Sequence, residues 1–260
     1  MQIYRFTKNF KMRSFLLLLG FVGLLIQTST AQVTSISSIN VGISASTGFS
    51  FIAAQNNYGN SEMEYRMTPG YTAGVLGNIN WYGDLGLQIE GQFAFLGQDY
   101  EDIHDNNTDV RLNLTLTYWQ IPLLLKYTNS AFSSSYNGPN FYILGGPQFS
   151  FVNNVYQQYF RNGVRVNFPE AHQFNPIRDQ HPEFIEDDLL FRKFEIGIIA
   201  ALGFEFPLAN DMYYFAEFRN YVGLTDINVR EWRFPDRNGN YSASRHYYFS
   251  LRMGVTMEIW

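Results

Sequence analysis

The 260-residue sequence predicts an all-β chain, an eight-stranded antiparallel meander closed into a transmembrane β-barrel with long extracellular loops. Three observations predict it. Charged residues make up only 16% of the chain while aromatics reach 18%, with 24 Phe and 18 Tyr; a typical soluble domain is roughly one-quarter charged. Mean hydropathy is -0.18, too low for a bundle of membrane helices. Period-two alternation recurs along the chain, and no long stretch holds a helical apolar period. A barrel meets lipid with every second strand residue, so it is poor in charge without being strongly hydrophobic.

The N-terminus reads as an address. Arg5, Lys8, Lys11 and Arg13 precede an apolar run from Phe15 to Ile26, and no acid lies among residues 1–31. Ser29 and Ala31 then supply the small positions of a cleavage site. The run is well short of the roughly 20 residues a spanning helix needs. Residues 1–31 are therefore expected to be a signal peptide cleaved near Ala31, and residues 32–260 the barrel domain. Met12 is an alternative start, because Met12-Arg13-Ser14 already opens a complete signal.

The first strand is expected at 37–51, with Ile39, Val41, Ile43, Ala45, Phe49 and Phe51 on one face. The second, 70–81, sets Tyr71, Ala73, Val75, Ile79 and Trp81 opposite Thr72, Gly74, Asn78 and Asn80. A tight turn at Tyr82-Gly83-Asp84 leads into the third, 85–96, where Leu85, Leu87, Ile89, Phe93 and Phe95 alternate with Gly86, Gln88, Glu90, Gln92 and Ala94. In the fourth, 110–127, Leu112, Leu114 and Leu116 are even-numbered while Trp119, Ile121, Leu123 and Leu125 are odd. That change of phase predicts a bulge near Tyr118, beside Pro122. The fifth to eighth strands are expected at 141–152, 191–206, 212–221 and 245–260.

The apolar faces are expected to point outward. The mature chain has two lysines, Lys126 and Lys193, too few for a water-facing exterior, and the polar faces carry Gly, Ser, Asn and Gln. Aromatics collect at strand ends, as girdles at the two membrane interfaces require: Tyr71 and Trp81, Trp119 and Tyr127, Phe194 and Phe206, Tyr247 and Trp260. Connections alternate between long (52–69, 97–109, 153–190, 222–244) and short (82–84, 207–211), which puts the long ones outside the cell.

The segment Tyr118-Trp119-Gln120-Ile121-Pro122-Leu123-Leu124-Leu125-Lys126-Tyr127 resembles the "Y-x-x-I-P-L-L-L-K-Y" strand of the PorT-like outer-membrane β-barrel family. Phe141-Tyr142-Ile143-Leu144-Gly145-Gly146-Pro147 resembles that family's following strand. Glu217 to Ile227 is similar to its penultimate strand and exit. The resemblance implies a small outer-membrane barrel of a Gram-negative envelope. A place in a protein secretion or gliding apparatus is the alternative function it implies.

The candidate site is the lumen. Glu90, Glu195, Glu205, Glu217, Arg219 and Arg252 fall on the polar faces, where isolated charges are expected to pair as an ion-pair network. A gated small-solute path is the other reading of the same residues. The loops offer a second surface: Tyr159, Phe160 and Arg161 in one, Trp232, Arg233 and Phe234 in another, the residue types that anchor protein partners. Loops that pack on one another and cap the barrel are the plainer reading.

The absence of Cys excludes a disulfide scaffold, a thiolate zinc site and a cysteine nucleophile. Ser244 and His246 lie two apart, too weak a pattern for a triad. The expectation is a non-enzymatic, structural or surface-interaction protein without cofactor or metal. Its expected partners are outer-membrane lipid, the barrel-assembly machinery during biogenesis and a protein partner at the loops. A net charge of -5 speaks against nucleic acid.

Overall fold

The computed structural model describes residues 36–54, 64–81, 84–104, 108–129, 138–166, 191–208, 211–229 and 241–260. The expected signal peptide and the loop residues Trp232, Arg233 and Phe234 lie outside the described residues. These contain ten strands: β1 (Ile36–Ala53), β2 (Glu64–Arg66), β3 (Thr68–Trp81), β4 (Leu85–His104), β5 (Thr108–Asn129), β6 (Asn140–Arg161), β7 (Val164–Val166), β8 (Phe194–Pro207), β9 (Met212–Gly223) and β10 (Arg245–Glu258).

Eight of them form a closed ring in the order β1–β3–β4–β5–β6–β8–β9–β10, with β10 returning to β1. The pairings from β3 round through β10 to β1 are antiparallel. The closing seam runs from Asn40 opposite Glu258 to Ala53 opposite Arg245. It continues past β10, where Ile39 N–H donates to the Trp260 carbonyl at 2.6 Å and Ile259 N–H to the Ile39 carbonyl at 2.8 Å. Closure leaves no ladder of unsatisfied N–H and C=O groups, the condition for β-structure to exist in lipid. Ile259 and Trp260 stay paired to β1, and the side chains of both are exposed.

The faces are inverted relative to a soluble barrel. Ile43, Val75 and Leu125 are 60–67% exposed on the outside, while the inward Glu90, Gln98, Arg219 and Arg252 are 0–3% exposed. The outer face is bounded by aromatics. An upper row runs Phe93–Trp119–Phe151–Phe194 across β4, β5, β6 and β8 in direct register. Ring contacts join Phe93 to Trp119 at 5.0 Å and Phe151 to Phe194 at 5.1 Å, and Phe51 stacks on Tyr247 at 5.0 Å. A lower group joins Phe141, Phe204, Phe206 and Tyr214. Between Leu85 and Phe95 on β4, a rise of about 3.3 Å per residue and a tilt of about 40° give a band about 25 Å tall, the height of a membrane barrel's apolar belt.

Three expectations are corrected. The connection at 97–109 is not a long loop: β4 runs on to His104 and β5 starts at Thr108. Tyr159, Phe160 and Arg161 are not loop residues either. They end β6 and pair with β7. The irregularity falls between Thr117 and Tyr118, as the phase change predicted, but the extra residue is on the other strand. Thr117 pairs with Asn154 and Tyr118 with Val152, so Asn153 bulges from β6. β5 keeps its phase throughout: Leu112, Leu114, Leu116, Tyr118, Gln120, Leu124 and Lys126 all point inward. Its apolar residues change sides because the surroundings change. Below the upper girdle the outside is apolar, and above it the inside is.

Candidate functional site

The lumen is built in layers. At mid-height Glu90 projects from β4 and meets Arg219 of β9 and Arg252 of β10, strands on the far side of the ring. Arg219 grips Glu90 with both Nη atoms at 2.8 Å and donates through Nε to Glu217 at 2.7 Å. Arg252 Nη1 lies 2.9 Å from Glu90 and 3.7 Å from Glu217, its cross-strand neighbour. Two carboxylates and two guanidiniums balance in charge.

Their remaining hydrogen-bonding capacity is also used. Gln88 and Gln92 donate to Glu90 from either side along β4, Tyr142 Oη donates to Glu217 at 3.2 Å, and Arg252 donates to Ser44 at 2.8 and 3.1 Å. A desolvated ion pair is tolerated only when its lone pairs and protons are satisfied in this way. The quartet holds β1, β4, β6, β9 and β10 together across the lumen and blocks it at mid-height.

Below the quartet, towards the short turns, Lys126 of β5 forms an ion pair with Glu205 of β8 and sits over the Tyr142 ring. Beneath this pair a vestibule of about 290 Å³ opens, lined by polar groups that include Asn80, Asp84, Asn140, Tyr213 and Glu258. A void of about 10 Å³, room for one water, separates the vestibule from the quartet. Above the quartet, Ser46 bonds Thr72 at 2.7 Å and Tyr248 at 2.8 Å. Glu195 then accepts from Tyr221 Oη at 2.8 Å, and His246 Nδ1 lies 3.5 Å from Glu195 and 2.9 Å from Tyr118 Oη.

The top of the interior is apolar. Ile52, Leu112, Leu114, Leu116 and Val155 pack with Phe191 and Ile227. The segments after β9 and before β10 fold over it. Asp226 accepts from the Asn228 and Ser244 backbone amides at 3.1 and 3.2 Å and from Tyr241 Oη at 2.7 Å. Ser244 Oγ donates to the Ala54 carbonyl at 2.9 Å. Ser244 and His246 are thus engaged with different partners and form no dyad.

Of the six sequence-predicted lumen residues, the structure brings together Glu90, Glu217, Arg219 and Arg252. It does not bring Glu205 to them: in the β8–β9 register Glu205 lies opposite Phe215, and its partner is Lys126. Glu195 stands one layer higher with His246 and Tyr221. The residues missed were Lys126, Ser44, Tyr142 and the flanking Gln88 and Gln92. Lys126 carried a readable signal, a lone lysine on the face opposite Leu123, Leu125 and Tyr127. Among the described residues no group of His, Asp and Glu is arranged to hold a metal ion.

Residues 27–229 match the family model described as outer membrane protein beta-barrel domain. The chain belongs to that family. The family implies residence in the outer membrane of a Gram-negative cell, and the inverted faces and girdles fit that solvent. No curated protein matches the chain. Among solved structures it is similar to OprG from Pseudomonas aeruginosa, at 11% identity and a TM-score of 0.42 over 86% of this chain and 97% of that one. Neisserial surface protein A is similar at 11% identity and a TM-score of 0.39, over 86% and 99%. Ail of Yersinia pestis, solved with the heparin analogue sucrose octasulfate, is similar at 10% identity and a TM-score of 0.34, over 85% and 99%.

Proposed function

We propose that the protein is a closed, non-conducting outer-membrane scaffold whose role is structural or in surface interaction. The supporting observation is the contrast between a lumen filled by neutralised charges and a wall that continues above the membrane. About 9–11 residues suffice for a strand to span a bilayer, yet β4, β5 and β6 have 20, 22 and 22. Above Phe95, Trp119 and Phe151 their outer faces turn polar, with Asp99, Glu101, Arg111, Asn113, Asn154 and Tyr156. Arg66 and Arg111 both pair with Glu101, at 2.8 and 3.6 Å, so this wall is ordered by its own charges. A rigid polar platform held by a plugged barrel suits contact with other envelope molecules.

The test is site-specific photo-crosslinking in living cells. A photoreactive residue at Tyr156 on the wall should give protein adducts, and one at Ile143 in the apolar belt should give none. Absence of protein adducts at Tyr156 and at other wall positions would leave the surface role without support. The vestibule favours a second reading, a narrow small-solute path gated by the quartet. In that reading the wild-type protein conducts.

A further inference from the structure

The short-turn end of the lumen carries more acid than base and leaves buried acceptors without donors. All eleven described residues that line the vestibule are polar, and each of the eight ring strands or its adjoining turn contributes at least one. The carboxylates among them are Asp84, Glu205 and Glu258, and the single ammonium is Lys126, already held by Glu205. Three carboxylates against one ammonium leave a surplus of two negative charges. Glu258 forms no ion pair among the described residues.

Asn40 stands directly opposite Glu258 across the closing seam, which sets their Cβ atoms about 5 Å apart. Asn40 is 8% exposed, and its Oδ1 has no hydrogen-bond partner among the described residues. Asn40, Lys126 and Glu205 line both the vestibule and the one-water void at its inner end. Asn78, 2% exposed, lines the void too. Its Nδ2 donates to Asn80 Oδ1 at 2.8 Å, while its own Oδ1 is also unpartnered. Two buried amide oxygens without donors cost free energy that a donor-rich group placed between them would recover.

We propose that the vestibule and the void at its inner end form a binding site for a small organic dication of the alkyl-diamine class. This goes beyond the scaffold reading and depends neither on the wall nor on whether the quartet closes the lumen. An ammonium carries three N–H donors and no acceptor. Asn40 Oδ1, Asn78 Oδ1 and the Glu205 carboxylate, all lining the void, are acceptors for those donors. The vestibule, at about 290 Å³, has room for about ten waters, hence for a short polar chain. Two positive charges match the surplus of the lining. Among the described residues no acids are grouped to hold a metal ion, which favours an organic cation over a divalent one.

Putrescine is the probe. Isothermal titration into the purified, folded protein in zwitterionic nanodiscs should give saturable one-to-one binding. Butanediol, with hydroxyls in place of the two ammoniums, should not bind, and Mg²⁺ at matched ionic strength should not displace putrescine. Glu258→Gln should weaken binding about tenfold or more, the loss of one charged hydrogen-bond partner. Asn40→Leu should weaken it as much without lowering the urea midpoint of the unliganded protein, because the oxygen it removes has no partner there. Heat-modifiable gel migration identifies the folded variants. The proposal is overturned if putrescine gives no saturable binding, if butanediol or Mg²⁺ matches it, or if folded Glu258→Gln or Asn40→Leu binds it as wild type does.

Discussion

Arg219→Leu is the substitution that weighs most on this architecture. The side chain donates to both oxygens of Glu90 at 2.8 Å and to Glu217 at 2.7 Å. Its removal leaves two buried carboxylates sharing one guanidinium, that of Arg252, at 2.9 and 3.7 Å. Breaking a desolvated pair from one side costs about 3–5 kcal/mol, because the survivor is uncompensated. With a urea dependence of about 1–3 kcal/mol per molar, the unfolding midpoint should fall by about 1–5 M. The assay is urea unfolding of the protein in lipid vesicles, followed by tryptophan fluorescence.

Arg111→Leu is the control. Arg111 is half-exposed, 3.6 Å from Glu101 and 3.2 Å from Asp109, and its loss should cost less than about 1 kcal/mol. Pairing Arg219→Leu with Glu90→Gln restores the charge balance and should recover about 2 kcal/mol of the single-variant loss in a double-mutant cycle. Stability of Arg219→Leu within about 0.5 kcal/mol of wild type, or strict additivity in the cycle, would refute the account of the quartet.

Lys126→Met should cost about 1–2 kcal/mol, less than Arg219→Leu, because Glu205 borders the vestibule and regains water; the same urea assay measures it. Gly48→Ala should block assembly or destabilise the barrel severely. A Cβ there would stand 1.9 Å from the Phe249 carbonyl oxygen across the closing seam, whereas one at Gly77 meets nothing within 4 Å, so Gly77→Ala should be folded normally on heat-modifiable gels. Asp226→Ala removes the acceptor for two backbone amides and the Tyr241 hydroxyl. It should speed proteolytic nicking between β9 and β10 several-fold with little change in the barrel's unfolding midpoint.

Alternation alone located the eight ring strands, because a lipid-facing residue at every second position is a strong pattern in a chain with few charges. What alternation does not carry is the meaning of an apolar face. Leu112, Leu114 and Leu116 belong to the interior and Ile121, Leu123 and Leu125 to the exterior, though all read as equally apolar. Only the height of the girdle separates them. The quartet was legible in part. Glu217, Arg219 and Arg252 lie on strands joined by one hairpin, so their proximity follows from sequence. Glu90 reaching them was not readable as geometry, since contacts across a lumen depend on closure and shear. The same shear set Glu205 against Lys126, a β5 residue that neighbouring hairpins do not bring near. The platform above the membrane was hidden by its polarity, which reads as loop until the register of β4, β5 and β6 is seen.

The central claim is that the lumen is closed by the quartet and the apolar packing above it. Single-channel recording on the purified, folded protein in planar bilayers tests it most directly. The account predicts insertion without discrete conductance steps at neutral pH and moderate salt, in wild type and in the charge-balanced Glu90→Gln/Arg219→Leu variant. Reproducible unitary steps from the wild-type protein would contradict it and give the quartet the role of a gate.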